Sequence, residues 1–363
     1  MEILNRQDVS LLPPHFTTKQ SRRFSCEKRL WQSAPSAAVT KGGRTFVVCS
    51  GDNDCADEKP TNYTVCAYFD RDEKPKLAFY AWHDHEVRMS ETLLFLAPNG
   101  WLYHFWTQSY VYFDGRGGIW CAICKDPDAV QPKFGRPKRL CDGFMAHNPT
   151  VLRDGSLLFP ASVWTHMKSP FHPLPGYEKP SVWKCDPQMR RFTYLGGTFD
   201  PQPSFTENAV YEKADGSFVM LFRSETGLAR AFSQDEGVTW TEKMPFVFPG
   251  QSARFMVSRL PSGALLLVTH YDFTGRNNLM AMLSYDDGET FPYKLMLDER
   301  DDVSYPSGNV SADGRVTLAY DRERVGAREI LLASFCGEDI RKGSYGKNSF
   351  TGKLILKGGC AGI

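Results

Sequence analysis

The sequence predicts an all-β protein, a six-bladed β-propeller of four-stranded antiparallel blades occupying residues 1–363 as one domain. Three observations carry the prediction: a glycine turn followed by an apolar strand recurs six times, a second turn series interleaves with it, and no linker or low-complexity stretch interrupts the chain. The first series reads TKGGRTFVVC, PNGWLYHFW, RDGSLLFPA, ADGSFVMLF, PSGALLLVT and ADGRVTLAY. Its glycines, Gly43, Gly100, Gly155, Gly216, Gly263 and Gly314, lie roughly 50 to 60 residues apart, the length of a four-stranded blade. Each glycine permits the positive φ of a tight hairpin, and the β-rich residues after it form the returning strand. Strand-like pieces such as SAAV, ETLLFLA, NPTVL and SARFMVSRL precede most of the turns, so six hairpins are expected.

In the second series, SQDEGVTW (233–240) and SYDDGETF (284–291) fit Ser-x-Asp-x-Gly-x-Thr-aromatic. The Asp and Ser of such a turn bond loop amides while the aromatic plugs the sheet. Weaker echoes put Asp70, Asp126 and Asp186 in the equivalent place. A sandwich of unrelated hairpins is the competing architecture, and the shared step of the two series argues against it. Residues 1–25, polar and proline-containing, are expected to wrap around the outside or help close the ring.

With 42% hydrophobic and 23% charged residues and a formal net charge of +1, the composition is that of a soluble globular protein. It gives no field for nucleic acid or a membrane surface. MEILNRQDVSLLPPHF lacks a basic stretch followed by an apolar core, and no apolar run reaches the length of a span, so a cytoplasmic protein is expected. The ten cysteines are scattered through apolar stretches and read as free buried thiols. Cys121 and Cys124 form a CxxC, but positions i and i+3 of a strand face opposite ways, so a shared metal is not expected. No cofactor is expected, and oligomeric state is not readable.

A propeller brings the starts of its inner strands to one channel mouth, which directs attention to polar residues there. TENAVYEKADGSFVMLFRSETGLARAFSQDEGVTW, GRNNLMAMLSYDDGETF and SYPSGNVSADGRVTLAYDRER, together with the Asp turns, resemble the sialidase (neuraminidase) superfamily. The likeness is closest over residues 200–335 and looser before them. The resemblance implies a retaining exo-glycosidase acting on a terminal acidic sugar, sialic acid or a related ulosonic or uronic acid. It implies a tyrosine nucleophile served by a glutamate base, a carboxylic acid/base and three arginines around the sugar carboxylate. Carried over by position, it makes Tyr305 the nucleophile, Glu207 its base, and Arg223 and Arg276 two of the arginines. The residues agree on their own terms, since an arginine ending the apolar strand SFVMLFR is costly to bury without an anionic partner or ligand. Glu207 opening an apolar strand is equally out of place as mere structure.

The first blade departs from the family pattern. LWQSAPSAAV has Gln32 and Ser33 where the resemblance puts the first arginine. Arg88 in HEVRMSETLLF or Arg254 in QSARFMV is the expected compensation, with Gln32 as a neutral donor. The resemblance puts the acid/base in the loop after the first inner strand, here SGDNDCADEKPTNY, which offers Asp52, Asp54, Asp57 and Glu58. Counting back from YTVCAY favours Glu58 and Asp57, while Asp52 lies nearest the preceding strand.

Histidines cluster at His83, His85, His104, His147 and His166. His83 and His85 share a strand face, a geometry open to a metal pair but commoner in a polar pocket. His147 and Asn148 precede the third inner strand and are placed to meet substrate hydroxyls. Trp31, Trp106, Tyr110 and Trp164 are candidates for a sugar-stacking wall or for the core. Two other functions fit the same architecture: a polysaccharide lyase using a histidine base, and a non-catalytic glycan-binding propeller that needs neither Tyr305 nor Glu207.

Overall fold

In the computed structural model, residues 8–71, 73–84, 86–111, 113–164, 179–200 and 205–363 are described. They form six antiparallel sheets, the blades of a propeller. Blade 1 comprises Trp31–Val39, Arg44–Asp52, Tyr63–Asp70 and Lys76–Trp82, and blade 2 comprises Val87–Leu96, Leu102–Tyr110, Asp114–Cys124 and Lys138–Asp142. Blade 3 is built from Thr150–Val151, Leu157–Phe159, Ser181–Cys185 and Phe192–Gly197, and blade 4 from Asn208–Glu212, Phe218–Ser224, Gly227–Ser233 and Met244–Pro245. Met256–Arg259, Leu265–His270, Leu279–Ser284 and Tyr293–Asp298 make blade 5. Val303–Val310, Arg315–Arg322, Glu329–Cys336 and Phe350–Lys357 make blade 6. The first strands of blades 1, 2 and 6 and of blades 4, 5 and 6 contact one another around the axis.

The six glycines of the repeat all turn the first strand of a blade into the second, with φ between 80° and 87°. The Asp turns join third to fourth strands. In both complete copies the Asp carboxylate bonds the Thr amide and hydroxyl: Asp235 to Thr239 at 2.8 and 2.6 Å, Asp286 to Thr290 at 2.9 and 2.6 Å. Ser233 and Ser284 accept from the turn glycines Gly237 and Gly288. Asp186, in a decayed copy, collects the amides of Gln188, Arg190 and Arg191.

Strand alternation sends successive residues to opposite neighbours, so the core is divided among the blade interfaces. Phe46 and Val48 pack toward blade 2 with Phe79, Leu94 and Trp106, whereas Val47 and Cys49 pack toward blade 6 with Ile330 and Leu332. The same alternation separates Cys121, at the interface of blades 2 and 3, from Cys124, at that of blades 1 and 2. All ten cysteines are free and seven are buried.

The N-terminal segment adds a fifth strand, His15–Thr17, to the outer edge of blade 1. It also supports the join between the first and last blades. Arg29, fully buried, donates to Gln32 Oε1 (2.9 Å), to the Phe24 carbonyl (3.3 Å) and to the Ile363 carbonyl (3.1 Å).

Candidate functional site

Three inner strands are interrupted at one level by a β-bulge. Pairing skips from Ser33 to Ser36 in blade 1, from Ser90 to Leu93 in blade 2 and from Ser304 to Ser307 in blade 6. The residue after the first serine takes positive φ each time: Ala34 (50°), Glu91 (56°) and Tyr305 (55°). A bulge re-aims a side chain that the strand would otherwise bury between sheets. Positive φ in a large non-glycine residue costs about 1–3 kcal/mol, a strain that concentrates at functional sites. Tyr305 therefore lies within the inner strand, at its bulge.

Around Tyr305 the ring gathers a charged cluster at the end where inner strands begin and second strands finish. Arg223, on the second strand of blade 4, donates from Nη1 to Tyr305 Oη at 3.3 Å and to Glu207 Oε2 at 3.2 Å, and from Nε to Ser252 Oγ at 3.2 Å. Glu207 is buried just before the inner strand of blade 4, and its other oxygen accepts from Arg254 Nη2 at 3.1 Å. Arg254 is fully buried and also pairs with Glu91. Three guanidinium carbons approach the Tyr305 ring centroid, Arg324 at 3.9 Å, Arg254 at 4.3 Å and Arg276 at 5.3 Å. Among the described residues Arg276 has no carboxylate partner, although its carbonyl anchors the start of the blade 6 inner strand through Val303 N at 3.0 Å.

The cluster perturbs both proposed reacting groups. Burial raises Glu207 above the usual carboxylate range, against the opposing pull of Arg223, Arg276 and Arg324. For Tyr305, burial and the Glu207 charge act upward, but Arg324, Arg223 and Arg276 outweigh them and the phenol lies below its ordinary value of 10.0. The two shifts bring phenol and carboxylate closer in proton affinity, which eases transfer between them.

The acidic loop of blade 1 divides its carboxylates by role. Glu58 reaches the cluster, pairing with Arg88 Nη2 at 2.7 Å and lying 3.7 Å from Arg324 Nη1. Asp57 does not: it is exposed, pairs with Lys59 at 2.9 Å, and is held below its ordinary value by that contact and by the Glu58 amide. Asp52 is buried as the organiser of the loop, accepting from the amides of Asp54 and Cys55 and from Thr61 and Asn62. Asp54 lies exposed in the same loop and lends it that amide.

Gln32 is withdrawn from the mouth. Its amide donates to the carbonyls of Arg328 and Leu356 across the blade 1–blade 6 join, so it is a seam residue rather than a donor to substrate. Arg88 is buried against Phe113, with its guanidinium carbon 5.0 Å from the ring, and is committed to Glu58 and Asn62. His147 Nδ1 is 3.0 Å from the Asn208 carbonyl, and burial lowers the ring to about 4. Asn148 spans the channel, donating to Leu94 O (2.9 Å) and Gly308 O (3.1 Å). With Ser307 Oγ on Ser36 Oγ at 2.9 Å, it builds a polar floor beneath the site.

Of the proposed aromatic wall, Trp164 stacks on Phe144 at 4.3 Å beside Phe113 and Phe205, the latter 5.5 Å from the Arg223 guanidinium carbon. Trp31 and Trp106 are buried in the sheets, and Tyr110 bonds Glu86 at 3.0 Å. His104 is core, 3.0 Å from Thr64 Oγ1, and His83 is buried; His85 and His166 lie outside the described residues.

Sequence reasoning missed Arg324, Glu91 and Phe205. Glu91 was findable, because SET at 90–92 lies in register with SYP at 304–306, and a glutamate inside an apolar strand is costly without a cation.

A six-bladed propeller with Asp turns and an Arg/Glu/Tyr mouth defines the class. The profile of the BNR repeat-like domain matches residues 82–318, and the chain belongs to that family. Comparison with curated proteins gives no match. Among solved structures, a protein of unknown function from Dyadobacter fermentans is similar at 17% identity and TM-score 0.63, covering 87% of this chain and 95% of that one. The intramolecular trans-sialidase of Ruminococcus gnavus, solved with oseltamivir carboxylate, is similar at 12% identity and TM-score 0.60, covering 89% and 98%. The NanB sialidase of Streptococcus pneumoniae is similar at 10% identity and TM-score 0.60, covering 95% and 69%. At these identities the likeness is one of fold.

Proposed function

We propose that the protein is a retaining exo-glycosidase that hydrolyses a terminal acidic sugar, a sialic acid or a related ulosonic or uronic acid. The observation that carries this reading is the shared guanidinium of Arg223, which joins Tyr305 Oη and the buried Glu207 carboxylate in one cluster at the channel mouth. A phenol is a weak nucleophile near neutral pH and needs an adjacent base and nearby positive charge to become an effective one. Glu207 and the arginines supply both.

In the proposed reaction Tyr305 Oη attacks the anomeric carbon while its proton passes to Glu207, and the bond to the leaving oxygen breaks. Glu58, the acid of the blade 1 loop that reaches the cluster, protonates that oxygen. Water deprotonated by Glu58 then cleaves the tyrosyl-sugar bond and returns the phenol, so the anomeric configuration is retained. Arg276, without a carboxylate partner among the described residues, and Arg223 hold the sugar carboxylate. The Phe113, Phe144, Trp164 and Phe205 group gives an apolar flank to the mouth.

The test is a panel of aryl glycosides of sialic, other ulosonic and uronic acids beside neutral counterparts. The reading expects cleavage confined to one or more acidic members, with phenol released and configuration retained. Equal cleavage of neutral glycosides would overturn the acidic specificity. An unsaturated, ultraviolet-absorbing product from a uronate polymer, without aryl glycoside cleavage, would replace hydrolysis by elimination.

A further inference from the structure

The blade 1 bulge QSAPS and the blade 6 bulge SYPS occupy equivalent places, so Ser33 in blade 1 matches Ser304 in blade 6. Both serines stand next to one buried carboxylate. Asp321 is paired with Ser304 in the sheet register, and its Oδ2 accepts from Ser33 Oγ at 2.5 Å, from Ala34 N at 3.3 Å and from Arg324 Nε at 3.1 Å. Arg324 follows the second strand of blade 6 and spreads across the Tyr305 ring at 3.9 Å. Its Nη1 lies 3.7 Å from Glu58, and its buried Nη2 has no hydrogen-bond partner among the described residues. A guanidinium is a rigid fork of five donors, and a buried donor left unpaired is costly unless a ligand completes it. The short side chain at position 33 is what leaves Asp321 available to Arg324, because a long cation there would compete for the same oxygen.

We propose that Arg324 is a substrate-binding residue, a guanidinium delivered from the last blade to the carboxylate of the acidic sugar and held in place by the Ser33–Asp321 pair. The inference rests on the acidic-sugar reading above. It assigns to Arg324 the charge that blade 1, with Gln32 turned into the seam and a serine at position 33, does not provide. Asp321 is by the same geometry a positioning residue, since it hydrogen-bonds the guanidinium and two blade 1 groups.

Binding is read by calorimetry in a Tyr305→Phe background, where turnover does not interfere. The probes are N-acetylneuraminic acid, glucuronic acid and their methyl esters. Arg324→Ala is expected to weaken binding of the preferred free acid by roughly 10- to 100-fold, the loss of a charge-assisted pair, and to leave its ester within about threefold. Arg324→Lys keeps the charge without the fork and should recover only part of the loss. Ser33→Arg added to Arg324→Ala should restore binding at least tenfold, a rescue that a folding defect would not produce. Equal binding of the acid by Arg324→Ala and its parent overturns this inference and leaves the acidic-sugar reading standing. If neither acid binds the parent protein, or esters bind as tightly as acids, both fall.

Discussion

Replacing Tyr305 by Phe removes one oxygen, and the structure sets how small the effect must be if that oxygen is only structural. Tyr305 Oη accepts from Arg223 at 3.3 Å, and Arg223 keeps Glu207 and Ser252 when that bond is lost. The ring remains against Arg324, Arg254 and Arg276, and phenylalanine preserves those cation–π contacts. The backbone strain at φ 55° is also unchanged. The loss of one such hydrogen bond is about 1 kcal/mol, so a structural hydroxyl would lower stability by that much and kcat/KM by roughly fivefold. Loss of a nucleophile removes the covalent route altogether, at least about 4 kcal/mol of barrier or roughly a thousandfold in rate. The assay follows phenol release from the preferred acidic aryl glycoside, alongside urea unfolding of both proteins. We predict a fall of a thousandfold or more in kcat with a stability change near 1 kcal/mol. A Tyr305→Phe enzyme retaining a fifth of wild-type activity would refute the assignment.

Glu207→Gln should lower kcat/KM by roughly 10²- to 10⁴-fold and abolish the acidic limb of its pH profile. That limb should lie above the ordinary carboxylate range in wild type, because burial raises Glu207 and the base must be ionised; a limb at an unperturbed carboxylate value would contradict this. Glu58→Gln should lower kcat/KM, which reports the first bond cleavage, far more for alkyl than for nitrophenyl glycosides, whose leaving groups need little protonation; an equal loss of kcat/KM on both would remove Glu58 as the acid. Burial lowers His104 to about 3 and His147 and His270 to about 4. The unfolded chain therefore binds protons below pH 6.5 that the folded one refuses, and stability falls as pH drops from 6.5 toward 4, by about 1.4 kcal/mol per histidine per pH unit. Urea midpoints at pH 7 and pH 5 should differ accordingly, and coincident midpoints would refute it. Asp286→Ala, which removes the Thr290 bonds of an exposed Asp turn, should cost about 1–2 kcal/mol in urea unfolding with kcat unchanged; a loss of activity without destabilisation would contradict a structural role.

The propeller was legible in the sequence because its signals are local. A Gly turn and an Asp turn each require particular residues within a few positions, and both recur at one step, so Gly43 through Gly314 and the turns at Asp235 and Asp286 fell where the structure has them. The channel mouth was legible only in part. Arg223 ending an apolar strand and Glu207 opening one are local anomalies, and the structure brings them together with Tyr305, which only the family resemblance singled out. Arg324 has no such mark, since in DRER it resembles any charged loop, and only the blade 6 strand register, Val303 on Arg322 and Ser304 on Asp321, with the bulge at Tyr305, lays it on that ring. The acidic loop was legible as a group, with Glu58 and Asp57 favoured over Asp52, but not residue by residue. Asp52, Asp57 and Glu58 look alike in sequence, while backbone amides, Lys59 and Arg88 decide which is buried, which faces water and which reaches the site. Gln32 was misread because its partners, the carbonyls of Arg328 and Leu356, come from the other end of the chain.

The central claim is that the Tyr305 oxygen becomes bonded to the sugar. It is tested most directly by peptide mapping and tandem mass spectrometry after incubation with an acidic glycosyl fluoride whose ring fluorine slows turnover of the intermediate. We predict one sugar mass on the peptide containing Tyr305, localised to that residue, absent from Tyr305→Phe, and lost with time as activity returns. An adduct on another residue, or hydrolysis of the preferred substrate with inverted configuration and no adduct, would contradict the account.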